Sequence, residues 1–472
     1  MTWETVIGLE VHVQLATRTK MFCGCATGYG EAPNTNVCPI CLGLPGALPS
    51  PNAEAIRLGT IAALALGCEV HPTSVFARKN YFYPDLPKGY QISQFDFPLA
   101  TSGSVMAESP DRGPIAVSIT RLHLEEDAGK SLHDRIPGHT AVDLNRAGTP
   151  LAEIVSGPDL RSPAEARAYL VTLRQLLVYA GVSECSMEKG SLRVDANLSI
   201  RRAGAPLGTK TEVKNMNSFA NVERALLAER ERQVALLESG GAVSQVTLSF
   251  NAATGAVKPL RSKEDSHDYR YFPDPDLPPL ILDPSWIADR QAELVELPAA
   301  RRDRYQQVYA LSPYDAKVLT QEPVVADYFE RVVGAGVEAK TAANWVMGEA
   351  MAGWNESGSF AVEPAQLAAL VRLVDQEVVS LQAAKRIYAE LVTAPEEPLA
   401  VAERLGLLQV RSTDALGGWI DEVLATHPDE VSRYRAGEKK LTGFFVGQVM
   451  KQSGGKADPK AIQPLLVERL SR

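Results

Sequence analysis

Four cysteines form the strongest chemical signal in the sequence. Cys23-Gly24-Cys25 is followed, after twelve residues, by Cys38-Pro39-Ile40-Cys41. Two short-spaced pairs can each turn around one tetrahedral ion, and the chain between them can bring the pairs face to face. We therefore predict a zinc-binding loop at 23–41. Its predicted ligands are Cys23, Cys25, Cys38 and Cys41.

The composition around these cysteines favours a structural role for the zinc. No Lys or Arg lies between Phe22 and Leu42, so this loop is not expected to contact phosphates. Four cysteine ligands also leave no open position for a catalytic water. The alternative for a lone cysteine, such as Cys68 or Cys185, is a small buried hydrophobe.

Several segments with strand-like alternation share an apolar face and a face of charged or polar groups. The polar faces carry Glu10, His12 and Gln14; Arg121, His123 and Glu125; Arg193, Asp195, Asn197 and Ser199; and Lys210, Glu212 and Lys214. Side by side, these segments would form a sheet with an apolar back and a polar face, which we call the charged floor. Carboxylates with an imidazole suit Mg²⁺, and nearby Lys and Arg suit the phosphates that Mg²⁺ bridges. The alternative, a solvated outer face, stays open on pattern alone.

Two aromatic, proline-containing loops lie far apart in the sequence. They span 78–85 and 268–274, and each contains at least one basic residue beside its aromatic residues. Aromatic side chains next to bases can stack on a nucleobase or on a tRNA end. Packing over a sheet edge explains them equally well.

The length and composition are those of a globular protein with about three domains. The 472 residues are 45% hydrophobic and 22% charged, with a net charge of −9. No signal peptide or long apolar run is present, so a soluble, cytoplasmic protein without membrane association is predicted. From Arg433 onward, the sequence contains nine basic and three acidic residues. The net negative charge thus argues against nucleic-acid binding over the whole surface, but it is compatible with a basic patch in the tail.

The order of predicted elements indicates an α+β protein. Up to about residue 290, strand patterns mix with isolated helices, which begin after Asn52, Ser162 and Ser218. Ser162 with Glu165 is a predicted capping box. From about Leu297 onward, helical spacing dominates.

Six ordered motifs resemble the B subunits of the glutamyl-/aspartyl-tRNA amidotransferases, in their bacterial form. They are Ile7–Val13, Arg78–Asp96, Leu124–Lys130, Val142–Arg146, Gly190–Asn197 and Asp268–Asp276. The resemblance implies a largely antiparallel-sheet catalytic domain of the glutamine synthetase/guanido kinase type at 1–292. An all-α helical domain at 293–405 and a small α-helical tail domain at 406–472 would follow. The tail motif Leu441–Lys451 implies tRNA binding there.

The same resemblance implies a ligase that works with two partner subunits. It would use ATP and Mg²⁺ to phosphorylate the side-chain carboxylate of Glu-tRNA(Gln), of Asp-tRNA(Asn), or of both. Ammonia, made from glutamine by a separate amidase (A) subunit, would then form the amide, and a small C subunit would complete the heterotrimer. Two alternatives are a non-catalytic tRNA-binding scaffold and a stand-alone ATP-dependent ligase.

Site residues follow from the same motifs. The resemblance assigns the catalytic and Mg²⁺-binding roles to Glu10, His12, Glu125 and Asp195, with Glu153 as a further metal ligand. The phosphate contacts that we predict are Lys79, Arg193, Lys210 and Lys214. Electrostatic neutralisation of the transferring phosphoryl group is the expected main catalytic effect.

Overall fold

The computed structural model of the protein describes residues 3–260, 269–410 and 412–471. The chain divides into two compact units, Met1–Pro298 and Ala299–Arg472, and each is described here by itself. A large, mostly antiparallel sheet occurs together with many helices, so the α+β prediction is confirmed. The finer division into 1–292, 293–405 and 406–472 stays a prediction.

All the described strands lie in the first unit. They are β1 (Trp3–Gln14), β2 (Glu69–Val70), β3 (Thr73–Ser74), β4 (Ala77–Asn80), β5 (Tyr90–Ser93), β6 (Ala100–Ser109), β7 (Gly113–Glu126), β8 (Lys130–Ile136), β9 (His139–Asp143), β10 (Pro150–Ser156), β11 (Leu192–Arg202), β12 (Thr211–Lys214), β13 (Thr247–Asn251), β14 (Ala256–Pro259), β15 (Phe272–Pro273) and β16 (Leu280–Ile281).

The described helices are spread over both units. They are α1 (Ala53–Ala65), α2 (Pro163–Tyr179), α3 (Phe219–Glu238), α4 (Pro284–Glu293), α5 (Pro298–Val308), α6 (Pro313–Leu319), α7 (Pro323–Gly334), α8 (Ala339–Trp345), α9 (Met351–Ser357), α10 (Pro364–Asp375), α11 (Leu381–Thr393), α12 (Pro398–Arg404), α13 (Thr413–Thr426), α14 (Pro428–Arg435), α15 (Leu441–Gln452) and α16 (Pro459–Ser471), with a π-helical turn at Val346–Ala350.

A nine-stranded sheet forms the centre of the first unit, in the order β14-β13-β12-β11-β1-β10-β7-β6-β2. Among the described strands of this sheet, β12 and β13 pair in parallel and the other neighbours are antiparallel. The middle strand, β1, alternates as predicted, with Leu9, Val11 and Val13 buried on one face. Helices α1, α2 and α3 contact strands of this sheet, so the apolar back is covered and the polar face is left for chemistry.

The helices begin where the sequence signals place them, with one difference in detail. Asn52 accepts hydrogen bonds from the first-turn amides of α1, and Ser162 accepts one from the amide of Glu165 at 3.2 Å. The predicted capping box at Ser162 is only half formed. The Glu165 carboxylate instead pairs with Arg112 and accepts a hydrogen bond from the amide of Arg161 at 2.7 Å. The pair with Arg112 orients the carboxylate, because a buried carboxylate gains more from a guanidinium than from one further amide.

The second unit is helical and has two hydrophobic clusters. One is built from residues between Tyr305 and Leu407, the other from residues between Leu416 and Leu470. No helix among the residues that the structure describes is long and apolar enough to cross a membrane.

Gly103 of β6 offers a direct test of sheet packing. A Cβ at this position would lie 2.3 Å from the Cys68 sulfur and 2.8 Å from the carbonyl oxygen of Leu66. We expect Gly103→Ala to lower the free energy of unfolding of the first unit by about 1–3 kcal/mol through overpacking. In α9 the matched control Gly353→Ala meets open space and should not destabilise. Equal denaturation midpoints for the Gly103 variant and the unmodified chain would contradict this packing.

Candidate active site and metal centres

A row of four polar side chains crosses the middle of the charged floor. In the strand register, His12 of β1 lies opposite Arg193 of β11 on one side and opposite Glu153 of β10 on the other. Glu153 in turn lies opposite His123 of β7. Residues opposite one another in neighbouring strands have close Cβ atoms, so the sheet itself sets the order of these groups.

The row, together with Glu125, forms a close cluster of carboxylates and imidazoles. His12 Nε2 lies 3.2 Å from Glu153 Oε2 and 3.6 Å from Glu125 Oε1. His123 Nε2 lies 3.3 Å from the same Glu153 oxygen. Ligand atoms of His12, Glu125 and Glu153 all fall within 4.8 Å of one another. Three residues that are remote in sequence therefore converge on one point.

Burial and charge in this cluster act against each other. Burial alone would raise the pKa of Glu153, but hydrogen bonds with His12 and His123 hold it well below its usual range. Burial also acts to raise the pKa of Glu125, but the hydrogen bond with His123 and the charges of His12 and His123 together lower it. Burial disfavours protonation of His12, yet Glu153 and Glu125 raise its pKa to about 9. The cluster therefore favours ionised carboxylates beside a protonated His12.

These donors fit a divalent cation. Two ionised carboxylates and one imidazole nitrogen, all aimed at one point, are a ligand set that Mg²⁺ accepts, with water completing its shell. Coordination through His12 would displace the proton that now balances the glutamates.

Glu10 and Asp195 form a second group, next to this cluster. They lie directly opposite each other on β1 and β11. Asp195 Oδ2 pairs with Lys214 Nζ at 2.8 Å, and Glu10 Oε1 accepts a hydrogen bond from Asn197 at 3.1 Å. Burial and the charges of Glu153 and Asp195 raise the pKa of Glu10. The structure thus divides the predicted metal ligands into a tight trio and a neighbouring pair.

The four predicted phosphate contacts differ in their surroundings. Arg193 pairs with Asp127 at 2.9 Å, and Lys214 pairs with Asp195. Lys79 lies 4.9 Å above the ring of Tyr269, and its pKa is raised because nearby carboxylates, Glu125 first, outweigh the effect of burial.

Lys210 sits just before β12 and lines a cavity of about 150 Å³ beside the floor. Glu10, Asn197 and Glu212 also line this cavity. No ion pair of Lys79 or Lys210 is found in the part of the chain that the structure describes. Within the described residues, neither ammonium group would have to exchange an ion-pair partner to bind an incoming anion.

The two aromatic loops meet beside the floor, apart from Asp268, which lies outside the described residues. Strands β4 and β15 pair, and Tyr81 packs against Tyr269 with ring centroids 6.0 Å apart. Phe95 stacks on Tyr271 at 4.2 Å. Sheet pairing therefore accounts for part of each loop, while the partly exposed Phe95 ring leaves an aromatic surface near the cluster.

Three residues of the site were not predicted as functional. His123 lay on the predicted polar face but received no role, since its contact with Glu153 depends on strand register. Asp127 and Arg146 lie in loops, where alternation gives no signal. Asp127 Oδ2 accepts from Gln14 at 3.2 Å, in addition to its pairs with Arg193 and Arg146.

The four predicted zinc ligands converge. Sulfur atoms of Cys23, Cys25, Cys38 and Cys41 all lie within 4.8 Å of one another. Hydrogen bonding with Cys23 lowers the pKa of the Cys41 thiol to about 4, and Lys20 adds to this effect. Four soft sulfur donors, one of them readily ionised, fit a structural zinc ion.

Cys41→Ser tests this centre directly. We expect zinc to fall from about one ion per chain to a small fraction, since one of four ligands is lost. Cys68→Ser is the matched control, because Cys68 is buried away from the cluster and its loss should leave the zinc content unchanged. Metal analysis of protein purified without chelator decides the outcome, and an unmodified chain with far less than one zinc would refute the assignment.

Two family models match most of this chain. Residues 5–288 match the family described as the GatB/GatE catalytic domain, and residues 327–470 match the GatB domain. The chain therefore belongs to this family.

Full-length relatives agree with this membership. They are the B subunits of aspartyl/glutamyl-tRNA(Asn/Gln) amidotransferases from three bacteria. The chain is 49% identical to the relative from Geobacter sulfurreducens, 50% to that from Moorella thermoacetica and 51% to that from Nitrosococcus oceani. Each comparison covers 100% of both chains. The resemblance predicted from the motifs is confirmed.

Proposed function

We propose that this chain is the phosphorylating subunit of a tRNA-dependent amidotransferase. It would transfer the γ-phosphate of ATP to the side-chain carboxylate of Glu on tRNA(Gln), of Asp on tRNA(Asn), or of both. The observation that carries this proposal is the convergence of His12, Glu125 and Glu153, surrounded by cationic side chains, within a domain of the matched family. Such a reaction belongs in the cytoplasm, with translation.

The chemistry explains why phosphorylation must come first. A carboxylate is a poor electrophile, because attack by ammonia would expel an oxide. A carboxylate oxygen that attacks the γ-phosphorus releases ADP and forms an acyl phosphate. Ammonia then attacks the carbonyl carbon, phosphate leaves, and a proton is lost to give the amide. We propose that an amidase (A) subunit supplies the ammonia and that a small C subunit completes the assembly.

The floor residues would divide the work. Mg²⁺ held by His12, Glu125 and Glu153 would neutralise charge on the phosphates. Lys79 and Lys210 would bind phosphate oxygens first, since no ion pair occupies them among the described residues. Arg193 and Lys214 are already paired with Asp127 and Asp195. They would therefore reach phosphate only by exchanging partners, or act by orienting those carboxylates.

The architecture that goes with this function is also part of the proposal. We assign the first unit to the glutamine synthetase/guanido kinase type of sheet, with a helical domain and a tail domain after it. The matched domains at 5–288 and 327–470 support this assignment.

Glu125→Gln separates catalysis from assembly. The amide keeps the shape of the side chain but removes the charge that a cation needs. We expect ATP-dependent phosphorylation of mischarged tRNA to fall by more than about 100-fold, because even the outer partners of metal ligands typically contribute 10- to 100-fold. Glutaminase activity and subunit assembly should persist in the reconstituted complex.

Glu108→Gln provides the matched control, since Glu108 is exposed on β6 and should retain full activity. Normal phosphorylation by the Glu125 variant would refute the metal role. A scaffold subunit would also be indifferent to this change. Activity of the chain without its partners would favour a stand-alone ligase instead.

A basic cleft in the second unit is our candidate for tRNA contact. It has a volume of about 400 Å³ and is lined by Arg386, Lys451 and Lys456, with no carboxylate among its lining residues. Two other basic residues of the tail are already in ion pairs: Arg433 pairs with Glu438, and Lys460 pairs with Glu377. Arg472 lies outside the described residues. Cations gathered in a concave surface favour phosphate binding.

Replacement of Lys451 and Lys456 together by Ala tests this cleft. We expect weaker tRNA binding and a salt dependence of log Kd that is shallower by about 1–2, or about one for each lost phosphate contact. Lys317→Ala, at an exposed position of α6 outside the cleft lining, should change neither quantity. An unchanged salt slope in the double variant would show that this cleft is only a solvated surface.

A further inference from the structure

Lys20 lies between the cysteine loop and the catalytic sheet, and its side chain is fully buried. A buried ammonium group is costly unless each of its N–H groups has an acceptor. Lys20 Nζ has three: the carbonyl oxygen of Asn36 at 2.7 Å, that of Leu144 at 3.3 Å, and Cys41 Sγ at 3.5 Å. Of these three acceptors, only the sulfur can carry a full negative charge.

Asparagine side chains join the cysteine loop to residues 144 and 145. Asn34 Oδ1 accepts a hydrogen bond from the amide of Leu144 at 2.8 Å. In the opposite direction, Asn145 Oδ1 accepts one from the amide of Asn36, also at 2.8 Å. Residues 142–145, which we call the clasped segment, begin in β9, where Val142 and Asp143 pair with β8. Their contacts with the cysteine loop, in contrast, are made by asparagine side chains.

The clasped segment leads directly into the active site. The next residue, Arg146, has its Nε 3.5 Å from Asp127 Oδ2. The same oxygen lies 2.9 Å from Arg193, and Arg193 lies opposite His12 in the sheet. Consecutive contacts therefore run from the cysteine loop to the charged floor.

The charge of a metal bound by the cysteines would connect this series of contacts to metal occupancy. Four thiolates around a divalent ion carry a net charge of −2, and the Lys20 ammonium beside Cys41 offsets part of it. Departure of the metal would release Cys41 Sγ from its fixed position, and the buried ammonium would then lose one of its three acceptors.

We propose that Lys20 is a positioning residue that couples metal occupancy of the cysteine loop to the placement of Arg146, Asp127 and Arg193 beside the charged floor. Its catalytic consequence rests on the proposed function. The coupling itself does not, because it is defined by metal retention and by the hydrogen bonds of the clasped segment.

Lys20→Met in the full-length chain, loaded with zinc, tests the coupling. The substitution keeps the length of the side chain and removes its charge and its donors. We expect zinc transfer to a chromogenic chelator to become at least tenfold faster. Amide hydrogen exchange in peptides covering 142–147 should accelerate by a similar factor, while exchange in β10 stays unchanged. Lys258→Met, an exposed position on β14, should match the unmodified chain in both measurements.

A second measurement uses the unmodified chain and covers the case in which the variant does not fold. Removal of zinc with a chelator should accelerate exchange at 142–147, and added zinc should restore it. Equal exchange there with and without zinc would overturn the proposal, as would a folded Lys20 variant that holds zinc as tightly as the unmodified chain.

Kinetics of the assembled enzyme separate this proposal from the proposed function. Lys20→Met should raise KM for ATP at least several-fold while glutamine hydrolysis is unchanged, and an unaltered KM would oppose the positioning role. If even the unmodified complex fails to phosphorylate mischarged tRNA, the proposed function fails. The zinc-transfer and exchange results would still decide the coupling.

Discussion

The pairing of β1 with β10 and β11 is the constraint on which the site depends. This register places His12 between Glu153 and Arg193. A slip of one residue would turn His12 into the apolar core and bring Val11 or Val13 to the floor. The burial of Leu9, Val11 and Val13 opposes such a slip, because each of these side chains would lose roughly 1.5–3 kcal/mol of burial free energy. The same apolar core therefore fixes the geometry of the polar face.

The cost of this geometry is a set of buried charges. Glu125, Glu153 and His123 are all buried, and the desolvation of each group would be prohibitive without its neighbours. The compensation is mutual, so removal of any one member leaves the others uncompensated. A cation at this point would take over the role of the imidazole protons, which explains how one arrangement can be stable before binding and ready for phosphate chemistry.

Local patterns predicted much of this site, and their limits have physical causes. Glu10, His12, Asp195 and Glu125 were visible from alternation, because their strands have one polar face. Glu153 was not visible in this way, since β10 is buried almost throughout and its sequence shows little alternation. It came instead from the family resemblance.

Strand register and loop positions set the other limit on predicting the site from the sequence. Two contacts of the site join residues that are remote in the sequence. One is between His123 and Glu153, and the other is between Asp127 and Arg193. Periodicity within one segment contains no information on such pairs. The helix starts were predicted from their caps, whereas the full capping box at Ser162 failed because Arg112, more than 50 residues away, competes for Glu165.

The cysteine loop shows how an irregular segment can be held beside a regular one. Between Gln14 and Ala53 no named helix or strand is present, and so long a stretch must satisfy its backbone groups by other means. Asn145 supplies part of this, since it accepts a hydrogen bond from the amide of Asn36 and donates one to the carbonyl oxygen of Ala32, and the cysteines close the loop around a shared point. Side-chain hydrogen bonds of this kind are individually weak, about 1 kcal/mol each. In the coupling that we propose, a metal bound by the cysteines and the buried ammonium would depend on each other, so the position of this segment beside the floor would be either fully set or lost.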